Sequence, residues 1–213
     1  MKKKFILIDD DQNRQKRFLD NNNIKLPEND EFFNNITDKN IIDDLNNRFK
    51  KREFDQNIIK DYDILAVHET FIKSIKEYLK TYCVEKQKDL ILFSGGISRT
   101  FDQQLGESTA ILITINDKKF YSKNLIDFLK SEDRNVMLLA YGEKWRIEQR
   151  MILAEKLSYV LSLSNNKFKL KEFNINAWQK NTYFNNYEMT SELDKNEILD
   201  ILKKINKDIN AIL

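Results

Sequence analysis

The chain has little of what marks secreted and metal-binding proteins. Its 213 residues contain one cysteine, one histidine, one proline and four glycines. A single cysteine cannot form an internal disulfide, and Cys83 with His68 would leave the remaining ligands of a zinc site to carboxylates. We expect Cys83 to be a buried bystander and the protein to be cytoplasmic.

Long hydrophobic runs are also missing. No stretch approaches the roughly 20 apolar residues of a membrane-spanning helix, and the apolar run behind the basic start is too short for a secretion signal. With so few glycines and prolines, the sequence contains no flexible linker of the usual composition. These absences favour a continuous, compact chain that is neither membrane-bound nor exported.

An excess of charge of one sign is the last thing the sequence lacks. Its 36 basic and 34 acidic residues leave a net charge of +2, which does not favour nucleic acid as a partner. Hydrophobic residues make up 41% and charged residues 33%, as in soluble globular proteins. The length allows one large domain, or one domain of ordinary size with an extension.

Short apolar runs separated by helical patterns are the main structural signal. The runs cover residues 5–8, 64–67, 90–93, 111–115 and 136–140, with a weaker alternating run at 168–173. Such runs predict buried strands, and their alternation with helices predicts an α/β fold around a doubly wound, mostly parallel sheet. Asn116 and Asp117 are turn formers, so residues 111–121 can also be read as a short hairpin.

Helical periodicity is clearest at residues 12–20, 38–49, 69–82, 143–163 and 191–213. In the last of these, an apolar stripe follows Ser191 and Asp194, which resemble a capping box. The stripe is too short for an independent coiled coil, so it either docks on the parent domain or forms a homodimer contact. We predict an α/β domain at residues 1–132 and a C-terminal α/β extension at 133–213 that ends in this amphipathic helix and packs on the same domain.

Three carboxylates, Asp9, Asp10 and Asp11, follow the first apolar run without a break. Open parallel sheets bind their ligands at the carboxyl ends of the strands, and carboxylates in that place suit Mg²⁺. A glycine pair behind Ser94 follows the run at 90–93. Such a pair is typical of a tight turn, and it also lets backbone N–H groups approach an anion.

Together these segments resemble a response-regulator receiver domain over roughly residues 1–130. The matching parts are the first strand with its acidic pair, the third strand, the fourth strand with its hydroxyl, and a looser fifth-strand lysine segment, at residues 4–12, 61–68, 90–96 and 121–124. The resemblance implies a flavodoxin-like sheet. It also implies Mg²⁺ held by Asp9 and Asp10 or by Asp10 and Asp11, with Ser94 as the switch hydroxyl and Lys123 as the phosphate contact.

One position departs from the family pattern. The third strand ends at His68, where the family has its phosphoacceptor aspartate. The neighbouring Glu69 is shifted by one residue, which points its side chain to the other face of the strand. The separation of Asp10 and His68, 58 residues, also exceeds that expected of a compact receiver.

We interpret the site as a degenerate phosphoacceptor site in a non-catalytic signalling or protein-interaction module with a protein partner. Its residues are Asp9, Asp10, Asp11, His68, Ser94, Gly95 and Lys123. An alternative is a Mg²⁺-dependent, haloacid-dehalogenase-like phosphohydrolase, which the Asp-x-Asp step of the acidic triplet resembles. In that reading Asp9 is the nucleophile, Asp11 the acid/base and Ser94 a phosphate ligand.

Overall fold

The structure, a computed structural model, describes residues 2–53, 57–132, 134–162, 167–169 and 192–212. By its internal contacts the chain divides into two compact units, Met1–Ala140 and Tyr141–Leu213. The elements up to this boundary are β1 (Phe5–Ile8), α1 (Gln12–Asn21), β2 (Phe33–Ile36), α2 (Lys39–Lys50), a 3-10 helix (Ile58–Asp61), β3 (Ile64–His68), α3 (Glu69–Ile72), α4 (Lys76–Glu85), β4 (Asp89–Phe93), β5 (Phe101–Gln104), β6 (Ile111–Ile115), α5 (Asp117–Phe120), α6 (Lys123–Lys130) and α7 (Val136–Tyr141).

A six-stranded sheet forms the centre of the first unit, with the strand order β2-β1-β3-β4-β6-β5. Five of the strands are parallel, and only β5 runs antiparallel to its neighbour β6. The parallel part has the order of a flavodoxin-like doubly wound sheet, which confirms the predicted fold class. In this order the winding reverses between β1 and β3, so the carboxyl ends of these two strands border the crevice where such folds bind ligands.

The central strands are apolar because both faces of the sheet are covered. Every residue of β1, β3 and β4 is buried, as in parallel sheets with helices on both sides. On one face, Ile6 and Val67 share a hydrophobic cluster with Leu45 of α2 and Leu79 of α4. This packing fixes the strand ends that carry the polar residues.

The expected strand at residues 136–140 is wrong, because these residues belong to helix α7. A run of five apolar residues has no periodicity that separates a buried helix from a buried strand. Asn124 of α6 donates a 3.3 Å hydrogen bond from its amide to the carbonyl of Leu139. The first unit therefore extends to Ala140, beyond the boundary predicted at residue 132.

Two other local predictions are also corrected. Asn116 and Asp117 do not form a hairpin turn, since Asn116 caps the start of α5. The hairpin lies earlier, between β5 and β6. The helix predicted at residues 69–82 is divided by a turn at residues 73–75 into α3 and α4.

The second unit contains α8 (Glu143–Ser162), the antiparallel strands β7 (Lys167–Lys169) and β8 (Glu192–Asp194), and α9 (Lys195–Asn210). The apolar stripe of α9 packs within the unit, against Leu153, Leu157 and Val160 of α8. Asp194 and Glu197 form the capping box of α9, whereas Ser191 and residues 170–173 lie outside the described residues. Among the described helices, none is long and apolar enough to cross a membrane.

Candidate functional site

Polar side chains meet where the parallel strands end. Asp9 and Asp10 follow β1, and His68 is the last residue of β3. Ser94 follows β4, and Asp117 stands two residues beyond β6. Because these strands are parallel neighbours, the sheet brings residues from distant parts of the sequence to one edge.

Asp9 is a completely buried carboxylate with donors on both oxygens. Its Oδ1 accepts hydrogen bonds from the backbone N–H of Asp11, at 3.1 Å, and from the guanidinium of Arg14. Its Oδ2 accepts a 2.6 Å hydrogen bond from the hydroxyl of Tyr121. A buried charge needs such partners, so Asp9 is held as an internal anion.

Arg14 joins Asp9 to the neighbouring Asp10. The same nitrogen, Nη2, also donates to Oδ1 of Asp10 at 2.7 Å. The backbone N–H of Arg14 donates to the side chain of Asp11, which caps α1. The first turn of the helix therefore holds the guanidinium over the acidic pair.

His68 is buried between two carboxylates. Its Nδ1 lies 3.2 Å from Oδ1 of Asp10, and its Nε2 lies 3.6 Å from Oδ1 of Asp117. Burial by itself would lower the pKa of His68, but the interactions with Asp10 and Asp117 outweigh burial and the repulsion by Arg14, raising the pKa to about 9. At neutral pH the imidazole is therefore a cation.

The pKa of Asp10 moves in the matching direction. Interaction with His68 is the largest cause, and Arg14 adds to it, so the pKa falls to about 2 although partial burial acts the other way. Asp10 is consequently ionised throughout the physiological range. Asp10 therefore contacts both cations of the site, Arg14 on one side and His68 on the other.

A buried polar network continues from Asp9 to the second strand. Gln15 donates from its amide to the hydroxyl of Tyr121, at 3.2 Å, and exchanges two 2.9 Å hydrogen bonds with Asn35 of β2. The Tyr121 ring stacks on Phe18 of α1. These contacts fix α1, and with it Arg14, relative to the sheet.

The loop after β4 is held as a tight turn. Ser94 accepts a 3.1 Å hydrogen bond from the backbone N–H of Gly96, so this N–H already has a partner within the loop. The amide of Asn116 donates to the carbonyls of Gly95 and Ile97. A Cβ placed on Gly95 would lie 3.5 Å from Oδ2 of Asp117, which puts this loop directly beside the buried cluster.

Two sequence-predicted residues have exposed side chains outside the buried cluster. Lys123 is an exposed residue at the start of α6, so the match of residues 121–124 to a fifth strand is wrong. The fifth parallel strand is β6, and the residues behind it are Asn116 and Asp117. Asp11 is exposed and serves as the N-cap of α1.

Mg²⁺ does not fit the acidic pair as it stands. The oxygens of Asp9 face Arg14 and Tyr121, and Oδ1 of Asp10 faces Arg14 and His68. Over the part of the chain that the structure describes, no group of three or more His, Cys, Asp or Glu side chains is arranged to hold a metal ion. Positive charge is supplied instead by an arginine and a histidine.

Arg14, Tyr121 and Asp117 are the site residues that sequence reasoning missed. Asp117 had a usable signal, because it is a carboxylate just behind an apolar run, as Asp9 is. Arg14 stands four residues after Asp10, the spacing of a helical ion pair. Tyr121 carried no signal of its own.

Comparisons with known proteins add no assignment, since no family model, curated protein or solved structure matches this chain.

Proposed function

We propose that the first unit is a cytoplasmic receiver-like module that binds a protein partner and transfers no phosphoryl group. The observation that carries this proposal is the burial of the His68 side chain at the end of the third strand. Its side chain is only 4% exposed and lies between Asp10 and Asp117. A protonated imidazole has no free lone pair for attack on phosphorus, and burial keeps a phosphoryl donor away.

The acidic pair supports the same conclusion. Asp9 is fully buried, with hydrogen bonds to both of its oxygens. Asp10 is the more accessible acid, yet its charge is offset by Arg14 and His68. A carboxylate that is paired in this way is a weak nucleophile. The same pairing holds the surrounding side chains in fixed positions, which suits a binding surface.

The phosphohydrolase alternative receives less support. A nucleophile must reach its substrate, whereas Asp9 has no exposed surface. Asp11, the acid/base of that alternative, accepts a hydrogen bond from the backbone N–H of Arg14 as a helix cap. The site therefore favours recognition over turnover.

A protein partner is also preferred over a second copy of the chain joined through residues 191–213. The apolar stripe of α9 contains Ile198, Ile201 and Ile205, and all three are buried against α8. We expect light scattering to give the mass of a monomer at micromolar concentration. A dimer that becomes a monomer when these residues are deleted would contradict this preference.

The test is exposure of the full chain to Mg²⁺ with acetyl phosphate, followed by intact-mass measurement. A receiver domain that is known to accept phosphate serves as the positive control in the same mixture. We expect the mass of the protein to stay unchanged, and beryllofluoride to leave its thermal midpoint unchanged. Addition of one phosphoryl group, lost again in Asp10→Asn or Asp9→Asn, would overturn the proposal.

A second arm addresses hydrolysis. The wild-type chain is incubated with a generic aryl phosphate and Mg²⁺, beside the variant Asp9→Asn. We expect no turnover above that of the variant. Turnover that disappears in Asp9→Asn would replace the binding function with the enzymatic one.

A further inference from the structure

We infer that the guanidinium of Arg14 takes the place of a divalent cation in this site, so that the acidic pair is closed to Mg²⁺ until Arg14 is removed. The contact of Arg14 with the acidic pair lies within the site and needs no protein partner, so it is tested separately from the proposed function.

The geometry of Arg14 is that of a bridging cation. One nitrogen, Nη2, contacts Oδ1 of Asp9 and Oδ1 of Asp10, two adjacent carboxylates behind the same strand. The side chain of Arg14 is 18% exposed and that of Asp9 is fully buried. The guanidinium therefore occupies the place between the two oxygens that a metal ion would need.

The pairing of charges is consistent with this substitution. Arg14 pairs with both Asp9 and Asp10, whereas His68 lies between Asp10 and a third carboxylate, Asp117. Each cation contacts Asp10, while Arg14 alone pairs with Asp9. A Mg²⁺ ion at this pair would have to displace a guanidinium that already contacts both carboxylates.

Removal of Arg14 should leave the carboxylate of Asp9 without its cation but still held in place by hydrogen bonds. Asp9 would keep two neutral donors, the hydroxyl of Tyr121 and the backbone N–H of Asp11. These donors orient its oxygens without neutralising the charge. Carboxylate oxygens with room for water are the ligands that Mg²⁺ and Mn²⁺ prefer.

The local sequence explains how Arg14 is positioned beside the two carboxylates. Asp11 caps α1 and accepts the backbone N–H of Arg14, which places this residue in the first helical turn. From there its side chain reaches back to the residues before the helix. Arg17 lies on the same helix, with its guanidinium over the ring of Phe18, and offers a matched control.

The experiment is a titration with Mn²⁺ as a probe for Mg²⁺, read by the loss of the free-ion paramagnetic resonance signal. Wild type and Arg17→Ala should bind no Mn²⁺ at millimolar concentration. Arg14→Ala should bind one ion with a Kd at least about tenfold below the highest Mn²⁺ concentration used, and Mg²⁺ should raise its thermal midpoint. Arg14→Lys keeps a cation beside the acids and should resemble wild type.

The localisation arm uses the double variant Arg14→Ala/Asp10→Asn, in which the gained binding should be lost. Binding of Mn²⁺ by wild type at this site would overturn the inference, as would a folded Arg14→Ala protein that binds none. Gained binding that survives in the double variant would overturn the assignment to this pair. Arg14→Gln, which keeps more of the side-chain volume, carries the same expectation if the alanine variant does not fold.

Discussion

Tyr121 donates a 2.6 Å hydrogen bond to Oδ2 of Asp9, although 112 residues separate the two in the sequence. Both side chains are fully buried. Burial and the neighbouring Asp9 carboxylate raise the pKa of Tyr121, so its hydroxyl remains a donor. The bond links the end of the first strand to the segment behind the fifth parallel strand, and it makes the site a part of the core.

Replacing Tyr121 by phenylalanine should therefore destabilise the protein. The change removes one oxygen and leaves Oδ2 of Asp9 buried without its donor, which costs about 1–3 kcal/mol. Urea unfolding measures this loss. Tyr78→Phe removes the same atom from a side chain that is 39% exposed, and equal losses in the two variants would contradict the assignment.

Stability should depend on pH through His68. Asp10, Asp117 and Arg14 are the charged groups around it, and their net effect with burial raises its pKa from 6.5 to about 9. A raised pKa means that the folded state binds the proton more tightly, so the stabilisation is complete below pH 6.5 and is lost as the pH rises to 9. The advantage of wild type over His68→Gln in free energy of unfolding should fall by up to about 3 kcal/mol across this window. An advantage that stays constant from pH 6 to about 9.5 would show that His68 is not the titrating group.

Arg134 should stabilise the fold by joining the segments that precede β1 and β2. Its buried guanidinium donates to the backbone carbonyls of Lys3 and Phe32 and forms a 3.1 Å ion pair with Asp30. Arg134→Met keeps the length and removes the donors, so we expect a loss of about 3 kcal/mol. Arg48→Met, which breaks an exposed pair with Asp44, should cost much less, because an exposed ion pair contributes little to stability. Similar losses in free energy of unfolding for the two variants, measured by chemical denaturation, would contradict this role of Arg134.

The capping box of α9 offers a test in the second unit. Asp194 accepts hydrogen bonds from the backbone N–H groups of Asn196 and Glu197. Asp194→Ala should cost about 1 kcal/mol, the usual value for an N-cap. Asp200→Ala removes a carboxylate that is 75% exposed on the same helix, and thermal unfolding should show a smaller change there.

Most central strands could be predicted because their sequence signal is strong. The runs that became β1, β3, β4 and β6 are apolar and of strand length, since helices cover both faces of the sheet. The edge strands β2 and β5 were missed because polar residues interrupt them, as in Phe33–Ile36 and Phe101–Gln104. Residues at a sheet edge meet fewer apolar neighbours, so composition alone does not mark them as strands.

The site was predicted in part, and the missing part has a physical reason. Asp9, Asp10 and His68 stand directly at strand ends, where position in the fold can be read from the apolar runs. The side chains of Arg14 and Tyr121 reach the site from a helix and from a loop, so the apolar runs do not mark them; only the spacing of Arg14 from Asp10 hinted at its role. The error at Lys123 followed from placing the fifth strand too late.

The proposed function rests most directly on His68, as a buried cation between Asp10 and Asp117. Because the chain contains a single histidine, proton NMR of the imidazole ring can follow its titration without assignment. We expect a midpoint well above 6.5, close to 9, which moves down in Asp10→Asn. A midpoint at or below 6.5 in the folded protein would contradict the account.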